Sequence, residues 1–411
     1  MSGGAPAADA VLLPGARRGT VPVMAAACGV MVGNIYLCQP LLDEMARGFG
    51  VAEQAAGLVA VAAQVGYALG ILFVVPLADV SEPRRLLRWL MAATALGLLA
   101  AAAAPSLAPL ILASAVVAAA TVVPQILIPL ATSLAPKERR GRVIGALQTG
   151  LILGILLSRT VSGNVAALVG SWRASYLLAG LVTAGLFLLL PSFLPAHVPP
   201  RRQRSYAALL RSLPGLLALA PVRVSAALGF CVFAAFSAFW ATLAFHLATP
   251  AFGLGAAAAG LFGLWGAPGA ILAPLGGRLA DRVGSNLVNL MSLCFAGAAF
   301  LMAGTWGAAS ILALIAGVNL LDFGTQSGQV ANQARIFGLG DDIRARLNTV
   351  YMVATFGGGA FGSFVGTVAW GRWGWQGVCL TSGLLVLLAA LILMAATLRG
   401  GPTPSQETQH D

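Results

Sequence analysis

The chain has 411 residues, 59% of them apolar and 9% charged, with a formal net charge of +11 at pH 7. A water-facing surface needs far more charge than this, so an ordinary soluble domain is excluded and an integral membrane protein is implied. The single lysine, Lys137, stands in "APKERR" and not in a glycine frame, which excludes a phosphate-cradling loop of the G-x-x-x-x-G-K-[ST] type. Arginine supplies the other 23 of the 24 basic residues, placed in short gaps between apolar runs. Membrane lipid headgroups, and not nucleic acid, are the partner this spacing implies.

In chain order, Arg17 and Arg18 lead into an apolar run that continues through Leu41 with no clear cleavage site, so it reads as a retained first membrane helix. A crossing takes roughly 20 apolar residues. Twelve such runs are expected, at 20–42, 57–78, 86–104, 108–133, 143–168, 174–195, 224–248, 256–279, 286–304, 308–334, 347–370 and 375–398. The fourth, with Pro124 and Pro129, is the one expected to bend. One gap is long. Residues 196–223, with Pro199, Pro200, Arg201, Arg202, Arg204 and Arg211, read as a basic linker between an N-terminal lobe (1–195) and a C-terminal lobe (224–398). A short surface helix is expected around Tyr206 to Leu213, and 399–411 form a tail.

With a cytoplasmic N-terminus, 20 of the 24 basic residues fall inside, Arg47, Arg173 and Arg372 fall outside, and Arg159 lies within a span. This positive-inside pattern predicts a multi-pass protein with both termini cytoplasmic. The five cysteines are odd in number and sit in apolar runs, so neither a disulfide framework nor a metal cluster is expected. His197, His246 and His410 are scattered, and no nucleophile–base or paired-acid constellation appears, so no enzyme, metal or cofactor is expected.

The halves repeat. Asp79 and Asp281, Gln125 and Gln326, Arg140 and Arg344, Gly154 and Gly358, and Trp172 and Trp375 are separated by 201 to 204 residues. Two parallel six-helix repeats joined by a basic loop are the mark of a two-lobed transporter with its site between the lobes. The fold class is therefore all-α integral membrane, with twelve transmembrane helices in two pseudo-symmetric bundles.

The stretch "GGRLADRVG" resembles the loop signature of the major facilitator superfamily, with Gly277, Asp281, Arg282 and Gly284 at its fixed positions. A first copy, "VPLADVSEPRR", keeps Asp79, Arg84 and Arg85. "YLCQPLLDEM", "LQTGLILGILLSRTVSG", "NQARIFGL" and "RARLNTVYMV" resemble bacterial members of the arabinose-efflux and drug:proton antiporter type. The resemblance implies a monomeric secondary transporter of the bacterial inner membrane, working by proton-coupled efflux of a small drug-like molecule, sugar or metabolite. Proton-coupled uptake or exchange of a small metabolite or organic anion is the alternative, ahead of a receptor or channel. It also implies a latch between the lobes, with Asp79 facing Arg344 and Arg346, and Asp281 facing Arg140 and Arg142. Alternatively, these charges only set topology and cap helices.

Inside the spans, Asp322 is the one deep acid, and Asp322, Gln326, Gln329 and Gln333 share a helix face. It is a proton-coupling candidate, or else a structural aspartate held by Asn319 or Thr325. Arg159 is the deep cation and shares a face with Gln148. Tyr36, Gln39 and Asp43 line one face of the first helix, so Arg159 is expected to pair with Asp43, then Glu44, or to receive an anion. Asp43 and Glu44 are the reserve proton carriers. Asp322 is expected to lie about 15 Å from Arg159 in depth. Asn34, Tyr36, Gln39, Thr121 and Gln125 lie on helices that line the cavity in the superfamily. Phe233, Phe236, Phe239 and Trp240 form a stripe that either packs or faces lipid, or else lines a site for an apolar or planar substrate.

Overall fold

The computed structural model describes residues 19–194, 205–272, 278–280, 282–340 and 342–399, and among them it is all-helical. The expected loop residues Gly277 and Asp281, the linker up to Arg204 and the tail from residue 400 lie outside the described residues. Sixteen helices organise the rest. They are α1 (Thr20–Tyr36), α2 (Leu42–Phe49), α3 (Glu53–Leu69), α4 (Leu77–Val80), α5 (Pro83–Ala102), α6 (Leu107–Ala120), α7 (Val123–Leu134) and α8 (Arg140–Val169) in the first part of the chain. They continue as α9 (Trp172–Leu189), α10 (Tyr206–Leu216), α11 (Ala220–Ala248), α12 (Ala256–Trp265), α13 (Ala267–Ile271), α14 (Ser285–Thr305), α15 (Ile311–Phe337) and α16 (Arg344–Arg399).

Ten helical runs of the described residues are long and apolar enough to cross a membrane. One of them, α16, is two crossings, because Gly374 leaves the helical region with φ 60° and ψ −152°. The expected eighth span corresponds to α12 and α13 and then runs into residues 273–277, outside the described set. The expected bend in the fourth span is present. Helix α6 stops at Ala120, Pro124 sits in the first turn of α7 where its missing N–H is harmless, and Pro129 is carried inside α7.

Successive spans alternate in direction, so the bundle has a proximal end, where α1 begins at Thr20, and a distal end. Arg47, Arg173 and Arg372 are at the distal end and Arg159 is midway, while the remaining described basic residues gather at the proximal end. Helix α10 begins at the Ser205 cap and lies at the proximal end, where Tyr206 donates to Phe73 O at 2.8 Å and Leu213 and Leu216 are buried.

Small residues let the helices approach closely, as membrane interiors require in place of a hydrophobic driving force. In the first half, α1 meets α8 where a Cβ on Gly29 would lie 2.5 Å from Gly150 O and 3.4 Å from Gly154 Cα. In the second half, α11 meets α16 with Gly358 against the backbone of Phe230 and Gly362 against that of Ala234. The halves touch along two seams. Helix α3 packs on α16, and α8 packs on α12. Both are tight in the distal half, where Trp370 Nε1 donates to Glu53 Oε2 at 2.5 Å and Thr160 Oγ1 donates to Gly260 O at 3.0 Å.

Candidate functional site

The first helix does not run straight through its expected span. Helix α1 ends at Tyr36, Gln39–Leu41 forms a 3-10 turn with Pro40 in it, and α2 starts afresh at Leu42. The face carrying Tyr36 and Gln39 is thereby rotated away from Asp43. The structure accordingly replaces the expected Arg159–Asp43 pair. Asp43 bonds Arg47 one turn on, 2.6 Å away, and Glu44 is half-buried beside it at the distal mouth. Arg159, 1% exposed, instead donates from Nε to Gln39 Oε1 at 2.7 Å.

The guanidinium carbon of Arg159 stands 3.9 Å from the ring centroid of Trp240 and 4.7 Å from that of Tyr36, so the charge is sandwiched between aromatic faces. Its Nη2 has no hydrogen-bond partner in the protein. Helix α12 makes room for it, because a Cβ on Gly263 would fall 3.0 Å from Arg159 Cβ and 3.4 Å from its Cδ.

One turn further along, a Cβ on Gly266 would fall 2.5 Å from Asp322 Oδ2. Asp322, buried on α15, is within electrostatic reach of both Arg159 and Tyr36. No ion pair within 4.0 Å joins it to Arg159. The Trp240 indole N–H interacts with the Asp322 carboxylate, yet it makes no hydrogen bond of ordinary geometry, so this contact is long or misaligned. Trp240 is thus a wedge with the cation on its ring face and its polar edge toward the anion.

The expected 15 Å offset in depth between the two charges is therefore wrong, and the helix ends explain why. Arg159 lies ten residues before the distal end of α8 at Val169, and Asp322 eleven residues after the distal end of α15 at Ile311. At 1.5 Å per residue both sit about 15–17 Å from the same end.

The aromatic stripe of α11 is buried, not lipid-facing, with Phe233, Phe236, Phe239 and Trp240 all below 9% exposure. Phe233 stacks on Phe236 at 5.3 Å and meets Phe356 at 5.1 Å, while Phe356 meets Tyr67 at 4.4 Å. A belt of rings therefore runs between the halves and ends at Trp240. Gln125 reaches Tyr67 Oη at 3.4 Å, and buried Thr121 donates to Met31 O. Asn34 makes a long 3.5 Å contact with Thr183. Gln326 and Gln329 are half-buried, and Gln148 is exposed. Of the loop cluster, Asp79 and Arg344 each have a partner, and Arg140 bonds Ala135 O at 3.3 Å. Arg142 is exposed and Arg346 half-buried at the proximal end.

Sequence reasoning missed the eighth-span break and its brace. Asn319 donates from Nδ2 to Trp265 O at 2.8 Å and accepts from Gly269 N at 3.0 Å, satisfying backbone groups freed between α12 and α13. The signal was present as "LWGAPG", a glycine–proline interruption in an apolar run, with Asn319 one turn before Asp322.

The profile of the Major Facilitator Superfamily matches residues 24–337 and 225–411. The chain belongs to the major facilitator superfamily. It is 40% identical over 373 residues to the "Uncharacterized transporter YgaY" of Escherichia coli O157:H7, covering 90% of this chain and 94% of that protein. A Streptomyces coelicolor transporter is 37% identical over 380 residues, covering 91% of this chain and 86% of its own length. Among solved structures, a bacterial homologue of the lysosomal transporter Spinster superposes with a TM-score of 0.71 at 14% identity, covering 94% of this chain and 98% of that one. The nucleoside transporter NupG superposes with a TM-score of 0.74 at 14% identity, covering 92% and 99%. These likenesses establish the fold.

Proposed function

We propose that this superfamily member moves a small organic molecule by alternating access and draws on the proton gradient through Asp322. One observation carries the reading. The deep carboxylate of one half faces the deep guanidinium of the other across Trp240, at the seam that must rearrange when the lobes rock. A buried carboxylate whose solvation changes between states can be neutral in one and charged in the other, as a proton carrier requires. Residues 1–195 and 224–398 are the moving lobes, joined by the 196–223 linker, and the proximal end is cytoplasmic in a bacterial inner membrane. The protein acts as a monomer. Asp79, Arg84 and Arg85, with Gly277, Asp281, Arg282, Gly284 and the arginines at 140, 142, 344 and 346, form the latch at that end.

Efflux is the direction that the antiporter-type resemblance supports. A second reading, proton-coupled uptake or exchange of an organic anion, is favoured by the unpartnered Nη2 of Arg159. Thermal stabilisation of the purified protein across drugs, sugars and organic anions supplies a substrate for the test. In proteoliposomes, the wild type accumulates it under an imposed pH gradient. Asp322→Asn is expected to bind it and to exchange it across the membrane without accumulation. Full gradient-driven accumulation by Asp322→Asn removes Asp322 from the mechanism and turns attention to Asp43 and Glu44.

A further inference from the structure

Arg159 holds a fixed positive charge, yet its donors are only partly used. Gln39 takes Nε, two aromatic faces take the plane, and Nη2 has no partner although the residue is 1% exposed. A buried guanidinium with an orphan donor is a strong site for a bidentate or end-on carboxylate.

The site also has an approach. Gly141, Gly145 and Gln148 fall on the face of α8 that carries Arg159 and are exposed; Ile152 and Ile155 follow and are half-buried. Lipid exposure does not explain this gradient, because the opposite face of the helix carries Leu153, Leu157 and Val161, which are 45–47% exposed. Exposure therefore falls along this face from the proximal end to Arg159, beyond which Thr160 ties α8 to Gly260. At the buried end of this face Trp240 lies against Arg159, with Phe236 at a centroid distance of 6.1 Å behind it, rings suited to a flat ring.

Charge balance supplies the last step. The charged or titratable groups that face Asp322 are Arg159 from α8 and Tyr36 from α1. Helix α11 contributes the neutral Trp240, and α12 contributes glycines. An incoming carboxylate would place two anions beside one cation in a dry site. Arginine does not give up its proton. One anion must then be neutralised by a proton from the medium, which Asp322 is placed to accept.

We infer that the site takes a monocarboxylate with a flat apolar body, its carboxylate on Arg159 and its ring against Trp240 and Phe236, and that it binds together with one proton on Asp322. This rests on the proton-carrier reading of Asp322 and sharpens it. Anion and proton bound in the same state travel the same way, so coupling is symport and an inward proton gradient drives uptake.

The test uses the purified full-length protein and the probes benzoate and 1-naphthoate, with benzamide and benzylamine as neutral and cationic partners of similar shape. The carboxylates are expected to raise the melting temperature and quench tryptophan fluorescence saturably, while the amide and amine do neither. In weakly buffered solution at about pH 8, where the free carboxylates are ionised, one proton should be taken up per carboxylate bound. Arg159→Lys should weaken carboxylate binding at least about tenfold. Asp322→Asn should still bind but take up no proton.

If benzamide or benzylamine binds as tightly as benzoate, or neither carboxylate binds up to about 10 mM, the substrate class is overturned. Loss of gradient-driven accumulation in Asp322→Asn would still stand on its own in that case. Carboxylate binding by the wild type without proton uptake overturns the co-binding and the proton-carrier reading together, leaving only an anion site. The wild-type amide comparison decides the class even where Arg159→Lys does not fold.

Discussion

In the first half, Gly154 of α8 packs on Gly29 of α1; in the second, Gly358 of α16 packs on Phe230 of α11, 204 and 201 residues further on. The same spacing aligns Arg159 with Ser363 and Asp322 with Thr121, and both hydroxyl residues are buried. The close helix contacts are thus duplicated, whereas each deep charge occurs once. Helix packing serves both lobes and constrains both copies. The cation belongs to one lobe and the anion to the other, so only their approach across the seam brings them together.

The comparison breaks most severely at the shared contact. Gly154→Leu and Gly358→Leu should each force a helix pair apart, destabilising by about 3 kcal/mol or more, with similar losses of folded yield in the two halves. Folded yield after detergent extraction checks this, and a loss confined to one half would show that the packing is not duplicated.

The charges should behave asymmetrically. Asp322→Asn leaves Arg159 ionised without its counter-charge, and a loss of about 1–3 kcal/mol is expected in thermal unfolding. At the aligned position, Thr121→Val removes one neutral hydrogen bond to Met31 O and should cost about 1 kcal/mol. Equal effects at the two positions would make Asp322 an ordinary buried polar group.

Smaller again is the distal tie between lobes. Trp370→Phe removes the bond to Glu53, worth about 1 kcal/mol, and should shift thiol labelling of an introduced distal cavity cysteine toward the open state. Unchanged labelling would make that bond incidental to closure.

Much of this architecture was legible in the sequence. Long apolar runs gave the spans, the regular offset exposed the repeat, and Pro124 marked the bend, because each depends on local chemistry. The site was legible in its parts but not in its assembly. Asp322, Arg159 and Trp240 stood out as costly or bulky groups in apolar runs. Their relation did not, since the break around Pro40 rotates Asp43 off the Tyr36 face and the true ends of α8 and α15 set the depths. Asn319 went unread as a brace because its partners, Trp265 and Gly269, lie 54 and 50 positions away and meet it only through the fold.

Arg159 and Asp322 act as one electrostatic unit contributed by both halves, which a double-mutant cycle of thermal stability with Arg159→Gln and Asp322→Asn measures. Asp322→Asn is expected to be the more damaging single change, because arginine cannot neutralise itself whereas the aspartate of Arg159→Gln can take up a proton. The double variant should recover stability relative to Asp322→Asn, with a coupling of about 1–3 kcal/mol. Additivity within about 0.5 kcal/mol would contradict it, leaving two independent buried residues that share only a neighbouring tryptophan.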